Sequence, residues 1–247
     1  MVKAIKIFFL VCLLYSVTPS QQDVNYSNYN QSIGLRFIIG YNSFDLSAAS
    51  NYFTEILEQY RTYNVNVEDQ VLYSANTLWG FGIYFFPMRE LEINLNSDFT
   101  GTEAASLYGD QFGEIDITSQ IDFFSVDAGL RKYFMSVDII QPFLGINAGI
   151  VRAEYSLQEK IIFYDLPDMN RQSSYNYSKY GYKVEAFAGI SYNLNYLVVD
   201  LLAGYKYSII PKPESEDFQS DYQMEQVFEL ENSGFVIKFS LRTGIYW

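Results

Sequence analysis

An all-β fold, an eight-stranded antiparallel up-and-down barrel that spans a membrane, is predicted by three observations. Eight segments alternate between apolar and polar residues, each with an apolar face opposed by a face rich in Gly and charge. The connections between them are short and long in turn. No stretch reaches the roughly 18 consecutive apolar residues of a membrane-crossing helix, so a chain that crosses a bilayer would do so with strands.

The segments follow in order. The first, SIGLRFIIGYN, sets Ile33, Leu35, Phe37, Ile39 and Tyr41 against Gly34, Arg36, Gly40 and Asn42. The second opposes Tyr73, Trp79, Phe81, Ile83 and Phe85 to Asn76, Gly80, Gly82 and Tyr84, and PMRE leads tightly into the third. There Leu91, Ile93, Leu95 and Phe99 face away from Glu92, Asn94, Asn96 and Asp98. The fourth, roughly Glu114 to Phe134, settles into Phe124, Val126, Ala128 and Leu130 against Ser125, Asp127, Gly129 and Arg131. The fifth begins near Gln141, with Leu144, Ile146, Ala148 and Ile150 against Gly145, Asn147 and Gly149. The sixth runs from Lys179 to Leu194, with Lys183 and Glu185 on its polar face, and the seventh alternates Leu197 to Tyr207 around Asp200, Gly204 and Lys206. In the eighth, Phe235, Ile237, Phe239, Leu241, Ile245 and Trp247 oppose Lys238, Ser240, Arg242 and Gly244. Side chains of a strand point alternately to its two sides, so every segment is two-faced.

Connections near Pro87, Ser136 and Leu194 to Asn195 are short, whereas Ser43 to Val71, Thr100 to Gly113, Gln158 to Tyr175 and Pro211 to Asn232 read as long polar loops. That sorting is the pattern of periplasmic turns and extracellular loops. A water-soluble barrel would put its apolar face inward; the small and charged residues of the other face suit the narrow lumen of an eight-stranded barrel turned apolar side out. Aromatic rings at strand ends read as interfacial girdles: Phe86, Phe134, Tyr192, Tyr196 and Trp247 beside the short turns, and Tyr41, Tyr73, Phe99, Tyr180, Tyr207 and Phe235 beside the long loops.

The opening MVKAIKIFFLVCLLYSVTPSQQ places Lys3 and Lys6 before an apolar run from Ile7 to Tyr15, with Ser16, Thr18 and Ser20 after it. It reads as a secretory signal over residues 1–20 cleaved near Ser20, followed by a short periplasmic lead, 21–31, and one barrel domain, 32–247. Cleavage would remove Cys12, the chain's one cysteine, and with it any disulfide or thiol chemistry. A net charge of −13 with no basic stripe argues against nucleic acid and against docking on anionic lipid.

On these residues the chain resembles the small outer-membrane β-barrel proteins of Gram-negative bacteria, of the OmpA-barrel and OmpX type. The resemblance implies an integral outer-membrane protein. It also implies that Phe239, Leu241, Ile245 and Trp247 form the alternating, aromatic-ended signal presented to the barrel-assembly machinery. Members usually end in Phe, and no peptidoglycan-binding domain follows the eighth segment, so periplasmic tethering is not implied. Enzymes among outer-membrane barrels need a His as base, and this chain has none. No enzymatic activity and no cofactor is expected.

The charges Arg36, Glu92, Asp127, Arg131, Lys183, Glu185, Asp200, Lys206, Lys238 and Arg242 fall on the inward face and nearly balance in sign. They would form either a paired network that plugs the lumen or the lining of a narrow solute path, and the plug is favoured because buried charges must be paired. In the first long loop Tyr52, Phe53, Ile56, Leu57 and Tyr60 have helical spacing, with Ser47 as a candidate N-cap. That helix would be packed for its own stability, lie on the barrel mouth, or contact lipid or a partner. In the last loop Glu214, Glu216, Asp217, Asp221, Glu225, Glu229 and Glu231 lack EF-hand spacing and read as solvated, with no metal site. The expected role is structural or interactive at the cell surface through the long loops, with a narrow porin as the alternative and a secreted lipocalin-like binder as a third reading.

Overall fold

Eight strands pair in sequence order and close on themselves, β1 against β8; beyond Thr100 β3 pairs only with β4, and before Tyr182 β6 pairs only with β5. The structure, a computed structural model, describes residues 32–44, 46–62, 76–88, 90–134, 140–194, 197–211, 230 and 232–246. The expected signal and lead, Tyr73, Tyr196, Trp247 and the acidic residues of the last loop lie outside the described residues.

The strands are β1 (Ser32–Asn42), β2 (Asn76–Met88), β3 (Leu91–Gly109), β4 (Gly113–Tyr133), β5 (Ile140–Phe163), β6 (Arg171–Leu194), β7 (Leu197–Ile209) and β8 (Gly234–Tyr246). Each pairs antiparallel with both neighbours. One helix, α1 (Ser47–Thr62), stands between β1 and β2, and a 3-10 turn (Pro167–Met169) lies between β5 and β6.

The barrel wall is uneven in height. β4, β5 and β6 have 21, 24 and 24 residues, against 11 to 13 for β1, β2, β7 and β8. Two of the expected long loops are therefore strand. The segment from Thr100 to Gly113 continues β3 to Gly109 and reverses over Asp110 to Phe112. That from Gln158 to Tyr175 continues β5 to Phe163 and resumes as β6 at Arg171. The cause lies in the side chains: Ile117, Ile121, Tyr155, Leu157 and Tyr177 on the adjoining parts of the strands bury an apolar face with a period of two, and Ala104, Tyr108 and Tyr175 within the segments pack against it.

Candidate functional site

Polarity reverses along single strands. On the lower part of β5 the outward residues Leu144, Ile146 and Ile150 are about half exposed, while Phe143 and Asn147 are buried inside. One residue later the phase flips: Val151, Ala153, Tyr155 and Leu157 are buried inside, and Arg152, Glu154, Ser156, Gln158 and Lys160 point out. β4 flips at the same level, where Phe123 is inside and Phe124 outside, with Asp122 outward above them. On β6 the change falls between Tyr177, inside, and Tyr180, outside.

Below this level the outer wall is apolar apart from Thr77, Ser97 and Thr243, and aromatic rings edge it: Tyr41, Phe99, Phe124, Tyr180, Tyr182, Tyr205 and Phe235. Trp79 stacks on Phe99 at 4.5 Å, and Phe99 packs on Phe124 at 4.6 Å. From Ile140 to Ile150 the band is 11 residues of β5, which at ~3.3 Å per residue and ~40° of tilt is ~28 Å high. A surface like this faces hydrocarbon. The chain is a membrane-spanning β-barrel. In its upper girdle Tyr41, Tyr180, Tyr207 and Phe235 point outward, as does the part-exposed Phe99; in the lower, Phe134 and Tyr192 do. Phe86 does not belong there. Its ring turns into the lumen against Tyr84 and Tyr133, because Phe86 shares the parity of Tyr84 and not that of Phe85. On β8, Phe239 faces outward and Leu241 is part-buried.

The polar face of the spanning barrel builds two charged clusters, one above the other. In the lower, Glu92 accepts from Arg36 at 2.5 Å, from Arg242 at 3.2 Å and from the Tyr133 hydroxyl at 2.8 Å, with Arg131 Nε 3.4 Å away. Asp200 is held by Arg131 at 3.0 Å, Arg242 at 2.9 Å, and the hydroxyls of Ser191 and Ser240 at 2.7 and 2.9 Å. In the upper, Lys183 reaches Asp127 at 2.5 Å and Asp98 at 3.2 Å, and Lys238 reaches Asp98 at 3.1 Å and Glu185 at 2.7 Å. The lower cluster has one guanidinium in excess and the upper one carboxylate in excess. Asn96 joins them, donating to Asp127 at 3.0 Å and to Asn94 at 2.7 Å, which in turn donates to Glu92 at 3.2 Å.

Nine of the ten expected lumen charges meet in these clusters. Lys206 stands apart: buried, it donates to Asn232 Oδ1 at 2.7 Å and forms no ion pair among the described residues. Sequence reasoning missed Asp98 as a network member, although its parity on β3 with Glu92, Asn94 and Asn96 places it inside.

Both ends of the charged section are stopped by apolar side chains. At the short-turn end Tyr133, Phe143, Phe187 and Leu202 form a buried floor with Phe86 against it. Arg131 lies over Phe143 and Phe187 at 4.9 and 5.1 Å, and Arg242 over Tyr84 at 5.2 Å. Bare wall makes room for the rings: a Cβ on Gly145 would lie 2.4 Å from Phe187, and one on Gly189 2.5 Å from Phe143. At the long-hairpin end α1 presents Ala49, Phe53 and Leu57 to Ile117, Ile121, Phe123, Val151, Tyr155 and Tyr177. Tyr60 donates to Glu159, and Phe44 meets Phe123 edge-on at 5.2 Å. The expected helix is thus real and sits in the mouth. Ser47 is not its cap but its first residue; the carbonyl of Leu46 takes the first helical bond, from Ser50 N at 2.8 Å. Packing Leu46 onto the mouth outweighs the ~1 kcal/mol a polar cap contributes.

No protein-family profile and no curated protein matches the barrel's sequence. Among solved structures it is similar to Neisserial surface protein A, with 13% identity over 86% of this chain and 96% of that one and a TM-score of 0.38. It is similar also to OprG from Pseudomonas aeruginosa, at 11% identity, coverages of 89% and 97%, and a TM-score of 0.42. A third is Ail, the attachment invasion locus protein of Yersinia pestis, at 14%, 88%, 97% and 0.35.

Proposed function

We propose that this protein is an integral outer-membrane barrel that does not conduct and whose role is to hold a tall, structured crown above the cell surface. The observation that carries the reading is the filled lumen. An aromatic floor, two interlocked ion clusters and an apolar mouth with a helix seated in it follow one another along a barrel too narrow for a free path beside them. Moving an ion through would require parting charge pairs whose side chains are buried.

The orientation places the short turns in the periplasm and the hairpins β3–β4 and β5–β6 outside. Export would follow cleavage near Ser20, and β8 is the strand the assembly machinery would receive, with Phe239, Leu241, Ile245 and Trp247 as its signal. No catalytic step enters this reading, since the chain has no His and the buried carboxylates are engaged by cations.

The test is single-channel recording of the refolded protein in planar bilayers. Closed traces at 100 mV are expected. Sustained open events would overturn the plug and favour the narrow porin.

A further inference from the structure

The two tall hairpins meet at their tips. Tyr164 N donates to the carbonyl of Phe112 at 3.0 Å, and Gly113 pairs with Phe163 across β4 and β5. Around this junction stand Phe112, Phe163, Tyr164, Leu166 and Met169, exposed by 61, 40, 54, 55 and 63%. The backbone displaying them is well tied. Asp110 Oδ1 accepts from the N–H groups of Phe112 at 2.8 Å and Gly113 at 3.0 Å, Asn170 Oδ1 accepts from Phe163 N at 2.7 Å, and Met169 N donates to Leu166 O at 2.9 Å. Large apolar side chains held out on a fixed scaffold mark a contact surface.

Their own bilayer does not cover them. From Phe123, where the outer wall turns polar, to Gly113 β4 runs for 11 residues, which at ~3.3 Å per residue and ~40° of tilt lifts the tip ~28 Å above the hydrocarbon. The rim supplies the second characteristic of the occupant. Asp110, Glu114, Asp116, Asp165 and Asp168 border the patch, against Lys160 and Arg171. Asp110, Asp165 and Asp168 are exposed.

We propose that this crown is a docking surface for a cationic amphipathic segment of an extracellular protein, its apolar side chains seated on Phe112, Leu166 and Met169 and its cations on the acidic rim. The inference rests on the surface-display reading and deepens it: charge sets the encounter and the apolar anchors set the residence time.

The experiment uses the full chain refolded into zwitterionic nanodiscs. The probe is a labelled synthetic Leu/Lys amphipathic helix, read by fluorescence anisotropy against empty nanodiscs and against the same helix with Glu in place of Lys. Heat-dependent gel migration is recorded for every sample, because a wild-type protein without the shift would overturn the barrel reading itself. With the shift intact, the Lys probe is expected to bind wild type and the Glu probe not. Affinity is expected to fall at least tenfold both in the triple variant Phe112→Ser, Leu166→Ser, Met169→Ser and in the pair Asp165→Asn, Asp168→Asn. Equal binding by wild type and either variant overturns the proposal and leaves the barrel reading standing. So does wild-type self-association that the triple variant lacks, which would assign the crown to a second copy of this chain.

Discussion

At the two oxygens of Glu92 three guanidinium groups, a phenol and an amide converge, all of them buried. Removing one partner of such an arrangement costs far more than the arrangement itself gains, because the cations left behind stay desolvated. Glu92→Ala should lower stability against urea in detergent by about 3–5 kcal/mol; a loss under about 1 kcal/mol would mean that water enters the lumen freely. The control is Glu58→Ala on the surface of α1, whose pair with Arg61 is solvated and should be worth under about 0.5 kcal/mol. Asp110 acts at the opposite end of the molecule, in water. The N–H of Phe112 and then the Tyr108 hydroxyl hold its carboxyl below the usual carboxylate value. A depressed folded value means that the turn's stabilisation is complete above the unfolded value of about 3.9 and is lost as pH falls through the folded one. Amide-exchange protection at Phe112 and Gly113, taken relative to the intrinsic rate at each pH, should therefore hold from neutral pH down to about 4 and fall below it. Asp110→Ala should be weakly protected at every pH, and a wild-type tip that loosens between pH 6 and 5 would contradict this account.

α1 behaves as an amphipathic element that buries one face in a socket made by β4, β5 and β6. Ala49, Phe53 and Leu57 recur every four residues and are each 3% exposed or less, so a side chain lost there leaves a cavity costing roughly 2–5 kcal/mol. The double change Phe53→Ala, Leu57→Ala should unseat the helix. Trypsin cleavage at Arg61 should then rise at least tenfold, while the gel shift persists and, on the proposed reading of the ion clusters as a plug, so do the closed traces. Unchanged cleavage would show that the connections at its two ends, not its apolar face, hold α1. The same logic explains the hairpins: β4 and β5 extend beyond the bilayer because their upper halves own an apolar face that α1 helps to cover.

As a whole, the molecule is one closed barrel of eight strands whose wall continues upward in four of them, β3 to β6, with opposite polarity. The lower part is apolar outside and charged inside; the upper is polar outside and apolar inside. The solvent on the outer side decides which, since hydrocarbon accepts Leu and Ile where water accepts Arg and Glu. The amino-acid sequence by itself determined the strand count, the face of nearly every residue in the spanning part, the girdle positions among the described residues other than Phe86, and the helix between β1 and β2, because periods of 2 and 3.6 are local properties. The reversed alternation was also written there, in EIDITSQIDF and VRAEYSLQEK. Its first half reads only as the irregular start of the fourth segment while a strand is assumed to keep one phase, and only the closed barrel shows that the phase changes where the outer medium does. Tertiary structure alone decided the rest. Which cation meets which carboxylate, the place of Asp98 between Lys183 and Lys238, the bond from Lys206 to Asn232, the inward turn of Phe86 and the joining of the two hairpin tips depend on barrel register and curvature. These bring residues from different strands to one level, an arrangement that no spacing along the chain encodes.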